Sequence, residues 1–263
     1  MPLQYGRGRS SKGRIIIALI VLAVSVISYL SSSDVNEVTG EKQYLAYTPN
    51  EEIALGLQAA PHMIAQHGGL LPDPQEQAII DRVGERIVNN SSAANTEWQF
   101  EFHLLADAEM VNAFALPGGQ VFLTTGLYKR LQSEDQLAGV LAHEIGHVIA
   151  RHSAQQVAKQ QLSQGVTQAT VIASGEASAG AAAHMIGKMI NMRYGRDDEL
   201  ESDELGVRFM VESGYDPNAL IGVMEILAAA GGGGNTPEFF STHPNPVNRI
   251  EEIKAAIAQY SKG

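Results

Sequence analysis

The chain has no cysteine. Disulfides, thiolate metal sites and thiol nucleophiles are therefore excluded together. Any bound metal ion must be held by nitrogen and oxygen, a donor set that suits a catalytic site better than a structural one. Positive charge is also scarce, with 18 Lys and Arg against 29 Asp and Glu and a net charge of −11. Four of the cations, Arg7, Arg9, Lys12 and Arg14, precede the first acid, so setting them aside from −11 leaves the rest of the chain at −15. So acidic a body argues against nucleic-acid binding. The hydrophobic share of 44% is that of an ordinary globular protein, and the length supports one domain of about 220 residues with a short N-terminal appendage.

The basic cluster opens onto an apolar run from Ile15 to Leu30, broken only by Ser25 and Ser28. That is short for a spanning helix and a little long for a signal-peptide core. No A-x-A-like cleavage site follows, and Ser31-Ser32-Ser33 is an ambiguous substitute. The run reads as an uncleaved single-pass anchor in the inner membrane through residues 15–30. Its basic end is cytoplasmic and the body lies in the periplasm. The alternative is a cleaved signal peptide that releases the body to the periplasm. The chain then divides into a membrane or signal segment 1–33, a polar linker 34–49 and a domain 50–263.

Asn50, Glu51 and Glu52 open a helix with Ile53, Leu57 and Ile64 at helical spacing, ended by Gly68-Gly69. Asp73-Pro74 caps a second, carrying Ile79, Ile80, Val83 and Ile87. The period then changes to two. Trp98, Phe100, Phe102 and Leu104 alternate with polar residues as in a half-buried strand, which places His103 on the solvated face. A second extended stretch covers Val111 to Leu116, and a third strand follows the Pro117-Gly118-Gly119 turn from Gln120 to Thr125.

A helix from Ser133 to His152 comes next, with Ser133 and Gln136 as a capping box and an apolar face of Leu137, Val140, Leu141, Ile145 and Val148. Within it the sequence reads His143-Glu144-Ile145-Gly146-His147. Residues four apart share a helix face, so both imidazoles reach one tetrahedral zinc ion. Glu144 stands beside the first ligand, where a carboxylate takes a proton from water. Two surface histidines and a solvated glutamate are the plain alternative. Gly146 costs roughly 1 kcal/mol against alanine in a helix interior, which points to close approach of metal, substrate or another backbone. Strand, strand, then this helix is the order of zinc peptidases with the zincin architecture. The fold class is therefore α+β, mostly helical, with a small three-stranded sheet beside the HExxH helix. Val111 to Ala115 is the candidate edge strand for a substrate main chain.

A third ligand is still needed. The metzincin position, six residues after the second histidine, is Ser153 and fails. His152 lies about 140° round the helix from His147 and reads as a surface residue or as support for a ligand. Glu199 and Asp203 sit one turn apart on a later helix, capped by Asp197 or Asp198 and running through Met210. The first could ligate zinc while the second accepts a hydrogen bond from a ligand histidine; an acidic surface helix is the other reading. Residues 154–190, rich in Ala, Gly, Ser and Gln, read as small-residue helices, a lid, or a weakly membrane-associated hairpin. Asp216-Pro217 starts a helix ending in Gly231–Gly234. A Ser241-Thr242-His243-Pro244 loop leads to a last helix capped by Asn245 with Pro246 in its first turn.

The segments NAFALPGGQVFLTTGL, HEIGHVIARHS, GRDDELESDELG and STHPNPVNRI, in that order, resemble the HtpX and CAAX-prenyl-protease family of gluzincins over roughly residues 75–255. The resemblance is nearest to its exported bacterial branch. It implies one zinc ion on His143, His147 and Glu199, Glu144 as general base, and Asp203 supporting a ligand. It places Asn112 and Ala113, with Phe114 beside them, on the substrate-binding edge strand. It assigns His243 either to the oxyanion or to an open metal position that holds the enzyme idle. Ser202 departs from the usual alanine and puts only local packing in doubt. Arg249 either holds an acid of the site or lies on the surface. The expected activity is a zinc endopeptidase acting on misfolded or unassembled envelope proteins. The competing expectation is a chaperone-like binding protein with an idle zinc site.

Overall fold

The computed structural model of the chain describes residues 11–174, 194–230, 238–243 and 248–261. The apolar run forms α1 (Ser11–Ser31), which buries only Ala18 and exposes Ile16, Leu19, Val24 and Ile27. Its 21 residues span about 31 Å, and it is the one helix among the described residues long and apolar enough to cross a membrane.

The stretch expected as a linker is instead built. Ser33–Val35 (β1) and Lys42–Tyr44 (β2) pair antiparallel. The reason lies at the end of the HExxH helix, whose last carbonyls have no partner within the helix. Asn36 Nδ2 donates to Ile149 C=O at 2.7 Å and buried Gln43 Nε2 donates to Ala150 C=O at 2.8 Å.

Helix α2 (Pro49–Gln66) is capped by Thr48 and Glu51 rather than opened at Asn50. Its buried face is Glu52, Gly56, Ala60 and Met63, not Ile53, Leu57 and Ile64; Leu57 is 43% exposed. Small residues win here because the Pro117 turn lies directly on the helix: a Cβ on Gly56 would stand 2.0 Å from Pro117 O. Helix α3 (Pro74–Asn89) follows the expected pattern, with Asp73 as N-cap and Ile80, Val83 and Ile87 fully buried.

The sheet has the order β3 (Glu101–Leu105), β5 (Gln120–Thr124), β4 (Ala113–Leu116), with β5 parallel to β3 and antiparallel to β4. The central strand is buried throughout, while β4 stands at an edge. Trp98 to Phe100 lie outside β3, which begins at Glu101. His103 is not merely solvated, since its Nε2 lies 2.8 Å from Gln120 Oε1 and its ring stacks on Phe122. A short helix α4 (Thr125–Tyr128) leads on to α5 (Glu134–Ile149).

Helix α5 is the axis of the core. Every residue from Leu137 to Ile149 is buried, so the helix is enclosed on all sides rather than along the one expected apolar face. Ser133 Oγ caps the Gln136 N–H, but the Gln136 side chain accepts from Gln132 N–H, so the reciprocal half of the capping box is displaced by one residue. The helix also stops before His152. Arg151 turns left-handed, φ +55, a costly conformation for a side chain of its size. Buried Glu52 holds it there, 2.6 and 2.8 Å from the guanidinium.

The chain reverses into α6 (His152–Ser174), which packs along α1 with Gly165 against Ser25. Of the stretch 154–190, residues 175–190 lie outside the described residues. Helix α7 (Arg196–Ser213) crosses α5. Its N-cap is Gly195, and Asp198 accepts the Gly195 N–H from inside the first turn instead of capping. Helices α8 (Ala219–Ala230), α9 (Glu238–Thr242) and α10 (Arg249–Tyr260) complete the fold. The stretch expected as a Ser-Thr-His-Pro loop is helical as far as Thr242. Gly231–Gly234, Pro244 and the expected Asn245-Pro246 cap lie outside the described residues, and the N-cap of α10 is Asn248.

Gly56→Ala should lower the unfolding free energy by about 1–3 kcal/mol, read as a lower urea midpoint, because backbone rather than a flexible side chain meets the new methyl.

Candidate metal centre

The α5–α7 crossing builds the site. A Cβ on Gly146 would lie 2.7 Å from Ser202 Oγ and 2.9 Å from Ser202 O, so the glycine is there to admit the backbone of another helix. Gly206 does the same from α7, facing the backbone of His143. Ser202 replaces packing with a bond, donating from Oγ to His143 C=O at 2.6 Å. The crossing sets Glu199 against the two imidazoles.

Zinc–ligand bonds of 2.0–2.1 Å at tetrahedral angles require donor atoms about 3.3 Å apart. His143 Nε2 and His147 Nε2 are 3.1 Å apart. Glu199 brings Oε2 to 3.6 Å from the first and Oε1 to 3.5 Å from the second. His243, at the end of α9, brings Nδ1 to 3.1 Å from Glu199 Oε1 and 3.5 Å from His143 Nε2. The four donor atoms all lie within 4.8 Å of one another, and all four residues are buried.

Most of the orphaned buried side-chain atoms among the described residues gather at the same place. Both oxygens of Glu144, Glu199 Oε2 and His243 Nε2 are buried without a hydrogen-bond partner. Such atoms are rare and costly, and a cation among them satisfies several at once. The donor set therefore fits a metal ion.

Charge around the site is arranged in two tiers. Arg249 is 1% exposed, so its surface reading is wrong. Its Nε and Nη2 grip both oxygens of Asp203 at 2.6 and 2.9 Å, and Nη1 approaches Glu199 at 3.1 Å. Asp203 Oδ1 in turn lies 2.9 Å from His143 Nδ1. Burial works against the Asp203 charge, but Arg249 and His143 outweigh it and hold this carboxyl below its usual range. Glu144, 3.7 Å from His243 Nε2, is pushed up by burial, with His243 and His143 opposing. Burial would depress His243, yet the Glu199 and Glu144 carboxylates carry it upward.

His143, Glu144, His147, Glu199, Asp203 and His243 thus converge. Asn112, Ala113 and Phe114 lie on or next to edge strand β4, which packs against α5. Asn112 is buried with Oδ1 unpartnered, and Phe114 stacks on Phe122. Sequence reasoning missed Tyr194, whose ring stacks on His147 at 4.0 Å, and Glu201, which meets His152. A lone tyrosine and one glutamate among several carry no spacing signal.

This α+β fold, with an HExxH helix beside a small sheet and a glutamate from a later helix, is that of a zincin-like metallopeptidase. The chain belongs to peptidase family M48, which it matches over residues 74–257. It is 32% identical to a putative beta-barrel assembly-enhancing protease of Vibrio cholerae, over 86% of this chain and 47% of that protein. It is 29% identical to the Escherichia coli beta-barrel assembly-enhancing protease, over 75% and 43%. The mitochondrial metalloendopeptidase OMA1 of Schizosaccharomyces pombe is 29% identical over 89% of this chain and 69% of its own length. The chain therefore spans about half the length of its bacterial relatives.

Glu199→Ala should lower the metal content of the purified protein, read by elemental analysis, because it removes the one anionic donor and leaves three imidazoles. Arg249→Met should cost about 3–5 kcal/mol of stability, read by urea unfolding, because it strands the Asp203 charge in the core.

Proposed function

We propose that this metallopeptidase is a zinc-dependent endopeptidase that cuts misfolded or unassembled envelope proteins. The observation that carries the reading is the near-tetrahedral spacing of His143 Nε2, His147 Nε2 and a Glu199 carboxylate, with an unpartnered glutamate beside them. Nitrogen and oxygen donors in this number suit zinc. When bound, zinc polarises the scissile carbonyl and lowers the pKa of its water to about 7.

Glu144 does the proton work. Both its oxygens are free of hydrogen bonds, and its raised pKa brings it closer to the working pH of a general base. It accepts the proton of the attacking water and passes it to the leaving amine. Asp203 and Arg249 hold His143 with Nδ1 toward the carboxylate, which leaves Nε2 for the metal. Edge strand β4, with Asn112, Ala113 and Phe114, offers main-chain groups to an extended substrate. This fits a preference for unfolded chains. The bacterial relatives are named for enhancing beta-barrel assembly, which supports envelope substrates here. Helix α1 would tether the domain 50–263 to the inner membrane with the site on the periplasmic side.

His243 favours a second state of the same enzyme. Its Nδ1 is one of four donor atoms within 4.8 Å of one another, which supports competition with the water that hydrolysis needs. That arrangement supports a resting form in which the site is idle and the protein only binds its client. Cleavage then requires the end of α9 to withdraw.

Glu144→Gln should retain fold and zinc and lose cleavage of an unfolded protein such as casein by about 10²-fold or more; undiminished turnover removes Glu144 as the base. His243→Ala should keep zinc and raise basal cleavage if the histidine holds the site idle. Cleavage that falls instead assigns His243 to the oxyanion.

A further inference from the structure

His143 has a carboxylate behind it, in Asp203. His147 has none, and what stands behind it is a second histidine. His147 Nδ1 lies 2.8 Å from His152 Nδ1, and His152 Nε2 lies 3.2 Å from Glu201 Oε2. His152 is completely buried, whereas the Glu201 side chain is 29% exposed. Glu201 reaches the wall of a cavity of about 560 Å³ between β2, α7 and α10, which Glu204, Arg208 and Gln155 also line.

This geometry admits one arrangement of protons if His147 binds a metal through Nε2. A metal-binding imidazole is neutral and carries its hydrogen on the other nitrogen, so His147 Nδ1–H is a donor. His152 Nδ1, 2.8 Å away, must then accept. The remaining hydrogen of His152 sits on Nε2 and is donated to Glu201. We propose that His152 and Glu201 are positioning residues for the metal ligand His147, a relay that fixes its tautomer and its ring as Asp203 and Arg249 fix His143. The inference rests on the zinc-site reading above.

The surroundings are built for it. The break in helical phase at Arg151 is what returns His152 toward His147, since on a continued α5 it would point about 140° away. Glu52 holds that break in place. Tyr194 stacks on one face of the His147 ring, and Ser153, next to His152, lies 3.2 Å from the Tyr194 hydroxyl. The Nδ1 contact meets the same ring at its edge.

The test is zinc affinity of the full-length protein in detergent, by competition with a chromophoric chelator. His152→Phe keeps the bulk and removes the acceptor, and should weaken zinc by ten- to a hundred-fold. His152→Asn places Oδ1 near the lost Nδ1 and should recover affinity to within about threefold of wild type. The visible spectrum of the cobalt(II)-loaded protein should shift in the phenylalanine variant and return in the asparagine one, a readout that a merely structural role leaves unmoved. Phenylalanine with wild-type affinity, or asparagine no better than phenylalanine, overturns the proposal. Should His152→Phe not fold, Glu201→Ala at the cavity wall carries the test: weaker zinc binding and a shifted cobalt spectrum support the relay, and wild-type values for both overturn it. Wild type and Glu199→Ala run alongside. Failure of wild type to bind zinc at all, or wild-type zinc affinity in Glu199→Ala, sinks the site reading itself and is told apart from failure of the relay.

Discussion

The crossing of α5 over α7 at Gly146 and Ser202 is the contact on which the protein depends. Two helices normally lie 8–10 Å apart, held off by their side chains. Here a glycine on each helix and a serine bonded to the His143 carbonyl let the backbones approach. Glu199 belongs to the turn of α7 just before that contact, so its carboxylate is delivered to the imidazoles by backbone rather than by a long, mobile side chain. A methyl group at position 146 would push apart the side chains that the crossing unites.

That proximity gathers charge in the core. Glu144, Glu199 and Asp203 are buried within one cluster, and Arg249 is the cation that offsets them. Arginine suits the role because its planar fork satisfies both Asp203 oxygens and still presents Nη1 to Glu199. One guanidinium leaves the cluster short of positive charge, and a divalent cation beside the unpartnered oxygens of Glu144 fits the deficit. The last helix is thereby tied to the cluster, though it contributes none of the four candidate donors.

The reversal at Arg151 joins the centre to the rest of the chain. The hairpin β1–β2 caps the end of α5, Glu52 grips Arg151, and α6 leaves along α1. A segment that looks polar and idle in sequence therefore closes the helix that carries the site. Its polarity is the reason: helix-terminal carbonyls need amides, and Asn36 and Gln43 supply them. Likewise α2 reads as amphipathic through Ile53 and Leu57 yet packs through Gly56 and Ala60, because closeness of approach to the Pro117 turn outweighs apolar area.

What the sequence by itself determined is the local chemistry. The i, i+4 histidines with Glu144 between them, the Asp73 and Ser133 caps, the alternation of Phe102 and Leu104, and the Glu199–Asp203 pair follow from fixed helical and strand periods. Those periods hold whatever surrounds the segment. Only the tertiary structure decided that Arg249 is buried on Asp203, that His152 turns back onto His147, that Tyr194 stacks beside it and that His243 meets Glu199. Each of these joins elements whose meeting depends on a crossing, a left-handed residue or a helix end. Spacing along the chain encodes neighbours on one element, and it says nothing of which elements come together.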